Sequence, residues 1–298
     1  MRRRATITAV LLLALLGCDP HTTKQAAPTP TGNLCERVRP TLPGNWTTED
    51  GEPGVAAPLS DVCTLVDRDQ AAHRIRVLLS ILPVTDTQAA KLRKDDEASA
   101  AAGNYAAKVS DGGLGNGSWA LDPAAAAPWV VFRTGGRQVR LSVANAGAGT
   151  MDELRSIARS IMALAGGLPA APAMITRPEC AGGTAAAERI LGTKSVLRRD
   201  ALVDKHLSCR WASAMRSVAT YAGGDSRIDF GYIKDGATGG QPWAHRVTVG
   251  VEGWQQDDGF LIFRSRTDQY VTVVSLPYQE MRPVPIVMLA RAIAPAYS

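Results

Sequence analysis

Phenylalanine and histidine each occur only four times in 298 residues, and aromatic residues make up 5% of the chain. The histidines, His21, His73, His206 and His245, have no ligand spacing among themselves, and no Cys-x-x-Cys occurs. A structural zinc centre takes four clustered cysteine or histidine ligands, and without that spacing no metal site is expected. His73 is read as a satisfied or exposed histidine. No block of five like charges is present, which leaves no basic stripe for nucleic acid. No apolar run approaches the roughly 20 residues that a membrane-spanning helix requires. Gly-x-Ser-x-Gly, His-Glu-x-x-His and the phosphate-cradling Gly-x-x-x-x-Gly-Lys are all missing, so the sequence offers no catalytic residue and no cofactor site. Gly112 to Gly117 is glycine-rich but lacks the strand–helix setting of a phosphate loop, and reads as a turn. Asp257-Asp258-Gly259 pairs two carboxylates that would suit a divalent cation. Between two β-rich runs, however, Asp-Gly is better read as a hairpin turn.

The longest apolar stretch stands at the start. Arg2, Arg3 and Arg4 precede Ala5 to Leu16, and Leu15-Leu16-Gly17-Cys18 closes the segment. A basic head, a short apolar middle and small closing residues make a secretory signal. Leu-Leu-Gly-Cys resembles the bacterial lipobox, which implies a diacylglyceryl group on Cys18 and cleavage just before it. Two acyl chains suffice for stable anchoring where one is marginal. Residues 1–17 are then the leader, and the protein is expected at the outer face of the cytoplasmic membrane. Without the three leader arginines, 30 basic residues face 28 acidic ones, so the pI near 9 says little about partners.

Residues 18–33 follow as a tether. From Asp19 to Asn33 there is no large aliphatic or aromatic side chain, and Pro20, Pro28 and Pro30 break regular structure. Fully extended it reaches roughly 50 Å from the membrane.

The rest of the chain is a duplication. Val131 to Val143 and Ile262 to Val274 both run apolar into a polar turn and out into a second β-rich stretch, at an offset of 131. Each is a hairpin signal. A helix follows each one. Leu154, Ile157, Ala158 and Ile161 in the first copy, and Ile286, Leu289, Ala290 and Ile293 in the second, form one i, i+3, i+4, i+7 stripe. Thr150 and Glu153 have capping-box spacing. His73 to Leu82 alternates as a strand, with Ile75, Val77, Leu79 and Ile81 on one face, and Thr87 to Ala102 reads as a helix. In the second copy, strands are expected near Ser217–Tyr221, Ile228–Ile233 and His245–Val251, with no long helix between them. The expected fold is α+β: two similar tandem domains, 34–166 and 180–298, each an antiparallel sheet with packed helices. A proline-rich linker, 167–179, joins them.

Five cysteines fit this plan. With Cys18 lipidated, Cys35, Cys63, Cys180 and Cys209 remain, an even number in an exported chain. Of three pairings, the duplication selects Cys35–Cys63 and Cys180–Cys209, each tying an N-terminal helix to the first strand of its own domain.

Candidate ligand contacts come from the aromatics and the repeat. Trp119, Trp129 and Trp254 lie beside glycine-rich or turn segments, where an indole can line a groove. Arg133 and Arg264 are equivalent in the repeat and would form a pair of anion contacts if both faced it. Burial is the plainer reading for the tryptophans, and surface ladders for the arginines. Lipobox, Thr/Pro-rich tether, paired cysteines, Cys209-Arg210-Trp211 and the Phe-Arg hairpin together resemble actinobacterial cell-envelope lipoproteins, which are similar to the extracellular sensor domains of some membrane kinases. The first copy departs from that pattern, with Leu65 where Trp211 stands in the second. The resemblance implies a curved antiparallel sheet, a role in binding or sensing, and no catalytic residues. The expected function is a lipid-anchored, non-enzymatic binding or interaction module for an envelope protein or cell-wall ligand. The alternatives are an envelope hydrolase or glycan-modifying enzyme with dispersed acidic residues, and a structural spacer or assembly factor.

Overall fold

The computed structural model describes residues 32–49, 59–103, 108–115, 117–122, 127–143, 150–169, 171–203, 205–256, 259–276 and 283–298. The leader, Cys18, the tether as far as residue 31 and the Asp257-Asp258 pair lie outside these. Among the described residues no helix is long and apolar enough to cross a membrane.

In the first half, α1 (Leu34–Val38), β1 (Trp46–Glu49), β2 (Ser60–Asp67) and β3 (Arg74–Ser80) come first. They are followed by α2 (Asp86–Ala102), β4 (Val109–Asp111), β5 (Trp119–Leu121), β6 (Trp129–Thr134), β7 (Arg137–Val143) and α3 (Thr150–Met162). The strands form one antiparallel sheet in the order β1-β2-β3-β7-β6-β5-β4. Successive strand side chains point to opposite faces, and the two faces are covered differently. One face carries Ile75, Val77, Leu79, Val139 and Leu141, packed under Leu34 and Val38 of α1 and under the Leu154, Ile157, Ala158, Ile161 stripe of α3. On the other lies α2, whose Ala89 and Leu92 pack with Trp119, Trp129 and Val131. Its start is closed by a capping box. The Thr85 hydroxyl accepts from the Gln88 N–H at 3.2 Å and the Gln88 side chain accepts from the Thr85 N–H at 2.8 Å.

The second half repeats this plan. β8 (Met174–Ile175), α4 (Thr184–Leu191), β9 (Leu197–Arg199), β10 (Ala201–Val203), β11 (His206–Ala212) and β12 (Ser217–Ala222) lead into α5 (Gly224–Thr238). After it come β13 (Ala244–Val247), β14 (Glu252–Gln256), β15 (Phe260–Arg264), β16 (Tyr270–Leu276) and α6 (Pro283–Ile293). The order β13-β14-β15-β16-β12-β11-β9 matches β4-β5-β6-β7-β3-β2-β1 strand for strand, with β8 added beyond β9. The fold is thus α+β, in two tandem units of one topology. α4 and α6 cover one face and α5 the other. Gly192, at φ 73°, ends α4 in the left-handed conformation that glycine adopts without strain.

Two expectations are corrected. Ile228 to Ile233 is not a strand but the middle of α5, which occupies the place of α2. Its buried residues Phe230 and Ile233, with Ala237, have helical spacing, while Ile228 and Tyr232 face solvent. The apparent alternation Ile228-x-Phe230-x-Tyr232 mixes the two sides of one helix. The repeat offset is also not constant through the hairpins. Phe132 pairs with Val139 across a two-residue turn, whereas Phe263 pairs with Val271 across five residues. The offset is 131 before the turn and 132 after it, as it is in the helices. A one-residue error here exchanges the faces of a whole strand.

Disulfides join Cys35 on α1 to Cys63 on β2 and Cys180 to Cys209 on β11, with Cα separations of 5.2 and 5.5 Å. Cys63 pairs across the sheet with Val77, and Cys209 with Thr220, so the two staples sit at one register position of the repeat.

The segment after α3 is drawn into the second sheet. β8 runs parallel to β9, the Arg198 N–H donates to Ala173 O at 2.9 Å, and the Asp200 N–H donates to Ile175 O at 2.9 Å. A buried ion pair holds this seam. The Asp200 carboxylate binds the Arg198 guanidinium and accepts from the N–H groups of Arg177 (3.0 Å) and Arg210 (3.1 Å). Arg198 lies 5.0 Å from the centre of the Trp211 ring, and both donate to the Thr184 hydroxyl.

Two outcomes are expected. Replacing Cys180 and Cys209 together by alanine should lower the unfolding free energy of the second unit by about 3–4 kcal/mol, from loop-closure entropy over a separation of 29 residues. Denaturant titration measures this. Non-reduced peptide mapping must find Cys180 joined to Cys209 and to no cysteine of the first unit. Asp200→Asn, which leaves Arg198 buried without its counter-charge, should cost about 3–5 kcal/mol in the same titration. A loss under about 1 kcal/mol would mean that Arg198 swings into water instead.

Candidate functional site

The face of the first sheet opposite α1 and α3 is only partly roofed by α2. Its uncovered part belongs to β2, β3 and β7. Alternation puts Arg76, Leu78 and Ser80 of β3 there, with Gln138 and Arg140 of β7 beside them, and Leu78 pairs directly with Arg140 across the ladder. The second unit closes the remaining side. Its β11–β12 turn, held by the Ser213 N–H to Arg216 O bond at 2.9 Å, brings Ala214 and Met215 over this surface, and Leu197 of β9 comes with them. The result is a cavity of about 400 Å³ between the two units. A second, more open hollow of about 410 Å³ continues along the same face, lined by Glu49, Thr64, Arg74 and Ser142, and Arg76 borders both.

The interface beside the cavity is apolar and pinned. Ile81, Leu59 and Leu82 pack on Leu197, Ala212, Ala171 and Ala173. Arg137 donates to Ser80 O at 2.6 Å and to Pro169 O at 2.7 Å. Burial lowers the Arg137 pKa from its usual value, with Asp61 opposing the shift. Asp61 also lies 3.8 Å from Arg199 of the second unit.

The polar groups of the cavity are unevenly satisfied. Arg140 lies 4.0 Å over the Trp129 ring and 2.7 Å from the Asp96 carboxylate, which fixes its guanidinium. Its Nε is nevertheless buried with no hydrogen-bond partner, and so is the Gln138 Oε1. Ser80 is fully engaged, accepting from the Gln138 N–H at 2.9 Å and donating to Leu82 O at 2.8 Å. Arg76 is exposed, and no described residue pairs with it. No carboxylate, histidine or thiol lines the cavity. Such a lining can hold an anion and an apolar body, and it has no group to act as a base at neutral pH.

The five candidate groove residues are not brought together. Trp119 is 1% exposed, and its indole N–H donates to Asp96 at 2.8 Å. Trp254 is 6% exposed and donates to Glu252 at 3.2 Å. The two occupy one register position, pairing with Val131 and Ile262, and each is core beneath the middle helix of its unit. Arg133 is paired with Asp86 at 2.6 Å and Arg264 with Asp268 at 3.0 Å, each at the turn of its own sheet. Only Trp129 bears on the cavity, as the plate on which Arg140 rests. The residues that sequence reading missed are Arg76, Gln138 and Arg140. Their signal was present in the alternation of β3 and β7, which sends them to the face away from the core.

Other acid or histidine clusters lie elsewhere. His73 sits 3.8 Å from Asp67 and 3.4 Å from Glu153, edge-on to Trp46. Among the described residues no hydroxyl or thiol completes a catalytic set with it. Asp225 and Asp229 share a face of α5, where burial and then the Asp225 charge raise the Asp229 pKa. Neither borders the cavity, and the described residues contain no cluster of three or more His, Cys, Asp or Glu able to hold a metal ion.

No known protein family matches this chain, and no curated protein sequence matches it. A solved structure similar to part of it is the solution structure of cyanobacterial PsbP (CyanoP) from Synechocystis sp. PCC 6803. The two are 16% identical, over 40% of this chain and 82% of the other, with a TM-score of 0.28. At that score the likeness carries no argument about function.

Proposed function

We propose that this protein is an extracytoplasmic binding module, tethered to the outer face of the membrane through lipidated Cys18, with its ligand site in the cavity between the two units. The observation that carries the reading is the cavity itself. It lies at a domain interface, where ligand sites concentrate, and combines apolar walls with a few convergent polar groups. The two disulfides suit an oxidising compartment. Binding is favoured over catalysis because the lining supplies cations, an amide and two serine hydroxyls, one of them engaged, but no base to activate either. On this reading the protein belongs among the envelope lipoproteins that its leader resembles, and the ligand comes from the membrane or the cell wall.

Two measurements test this. Cys18→Ala should move the chain from the membrane fraction to the soluble fraction, and retention in the membrane would refute the anchor. For the site, the acylated chain is extracted from membranes and examined by native mass spectrometry. The wild type should carry an added small-molecule mass that Ala214→Trp, placed to fill the cavity, abolishes without lowering the melting temperature. A wild type free of added mass, or a mass that Ala214→Trp leaves unchanged, would remove the cavity as the site.

A further inference from the structure

The walls and mouth of the cavity specify more than a volume: once the cavity is taken as the binding site, they also define the chemistry of its ligand. Leu59, Leu78, Leu82, Val84 and Leu92 are only half-buried, so apolar surface stands open to water along one continuous trough. Met215, at the tip of the turn that closes the trough, has the unbranched and adaptable side chain that packs on flexible hydrocarbon. At one end of this apolar surface are two guanidiniums. Arg76 and Arg140 are diagonal neighbours on β3 and β7, since Arg76 pairs with Ser142 and Arg140 with Leu78. Diagonal positions are roughly 7–8 Å apart, within the span from which two long side chains can meet on one anion.

Three arginines line the cavity and the hollow beside it, Arg74, Arg76 and Arg140, and among the described residues two of them have a carboxylate partner. Arg140 is answered by Asp96 at 2.7 Å, and Arg74 by Glu49 at 3.4 Å. Arg76 has no counterpart among the described residues. The guanidinium of Arg140 borders the same place. A single anionic head completes this set, and a dianion would exceed it.

We propose that the cavity binds a single-chain monoanionic amphiphile, a long-chain fatty acid, with its carboxylate between Arg76 and Arg140 and its hydrocarbon along the leucine trough under Met215. This assignment rests on the cavity being the ligand site.

The test uses the full acylated chain reconstituted in phosphatidylcholine vesicles and a palmitic acid analogue bearing a photoreactive diazirine and an alkyne. Labelled peptides are mapped by mass spectrometry. The acid should label the segments containing Leu78 to Leu92 and Met215, and free palmitate should compete with it. The methyl ester of the same probe should label them about tenfold less, as expected for loss of a charge-assisted hydrogen bond. Arg76→Gln, at an exposed site that the fold does not need, should reduce acid labelling by a similar factor and leave ester labelling unchanged. Hexadecyl phosphate should compete less well than palmitate. Equal labelling by acid and ester, or no effect of Arg76→Gln, overturns the anionic head while the cavity stands as a binding site. Competition by hexadecyl phosphate equal to or better than that of palmitate overturns the choice of a monoanion. Labelling outside the cavity, or labelling that Ala214→Trp does not reduce, overturns both this proposal and the cavity.

Discussion

A β-sheet has two faces, and each must be covered or left wet. That constraint organises both halves of this chain. In each, helices before and after the main strands cover one face under a disulfide, and the helix inserted after β3 in the first unit and after β12 in the second covers part of the other. In the first unit the inserted helix α2 packs over β5 and β6, which leaves β2, β3 and β7 bare on that side. The second unit lays its β11–β12 turn across the gap. Because the turn spans the gap without filling it, the cavity follows from incomplete coverage of a two-faced sheet.

The chain between the units is itself built into this arrangement. It is not a free linker, since β8 pairs with β9 and the carbonyls of Ala173 and Ile175 are taken by the N–H groups of Arg198 and Asp200. Arg137 binds Pro169 O from the other side. The Arg198–Asp200 pair then locks β9 against β11 in a site from which water is excluded. A lone buried charge is expensive, so the pair holds its partners together better than it stabilises the fold as a whole.

Much of the architecture could be read from the residues, because it rests on local periodicity. Ile75, Val77 and Leu79 alternate and are buried on one face; the two terminal helices carry matched stripes, and both are buried. The failures have physical causes too. In α5, Gly231 and Gly236 weaken helix propensity, and the exposed Ile228 and Tyr232 supplied apolar residues on the wrong side, so a helix resembled a strand. In the hairpins, an unequal turn shifted the alignment by one residue and hid which side chains are equivalent. The tryptophans looked like a groove because their neighbours are glycines and turns, yet Trp119 and Trp254 are where the middle helices find their apolar footing. The cavity could not be read at all, since it needs residues near positions 60, 80, 140, 197 and 215 to meet.

The corrected register also shows that the two copies have diverged at this site. Cys63 and Cys209 are equivalent, so Val77 answers to Thr220, Arg76 to Ala219 and Leu78 to Tyr221. Beyond the hairpin turn Arg140 answers to Thr272. Where the first copy has two guanidiniums, the second has a methyl group and a hydroxyl. The Thr272 hydroxyl is already bonded to Ser226 of α5 at 2.9 Å, both residues being buried. The second copy has therefore closed the face that the first keeps open, bringing its inserted helix down on the very strand that carries Arg140 in the first. A spacer built from two copies would need no such difference. One copy holds the charged surface and the other supplies its roof, a division of labour that neither half could perform alone.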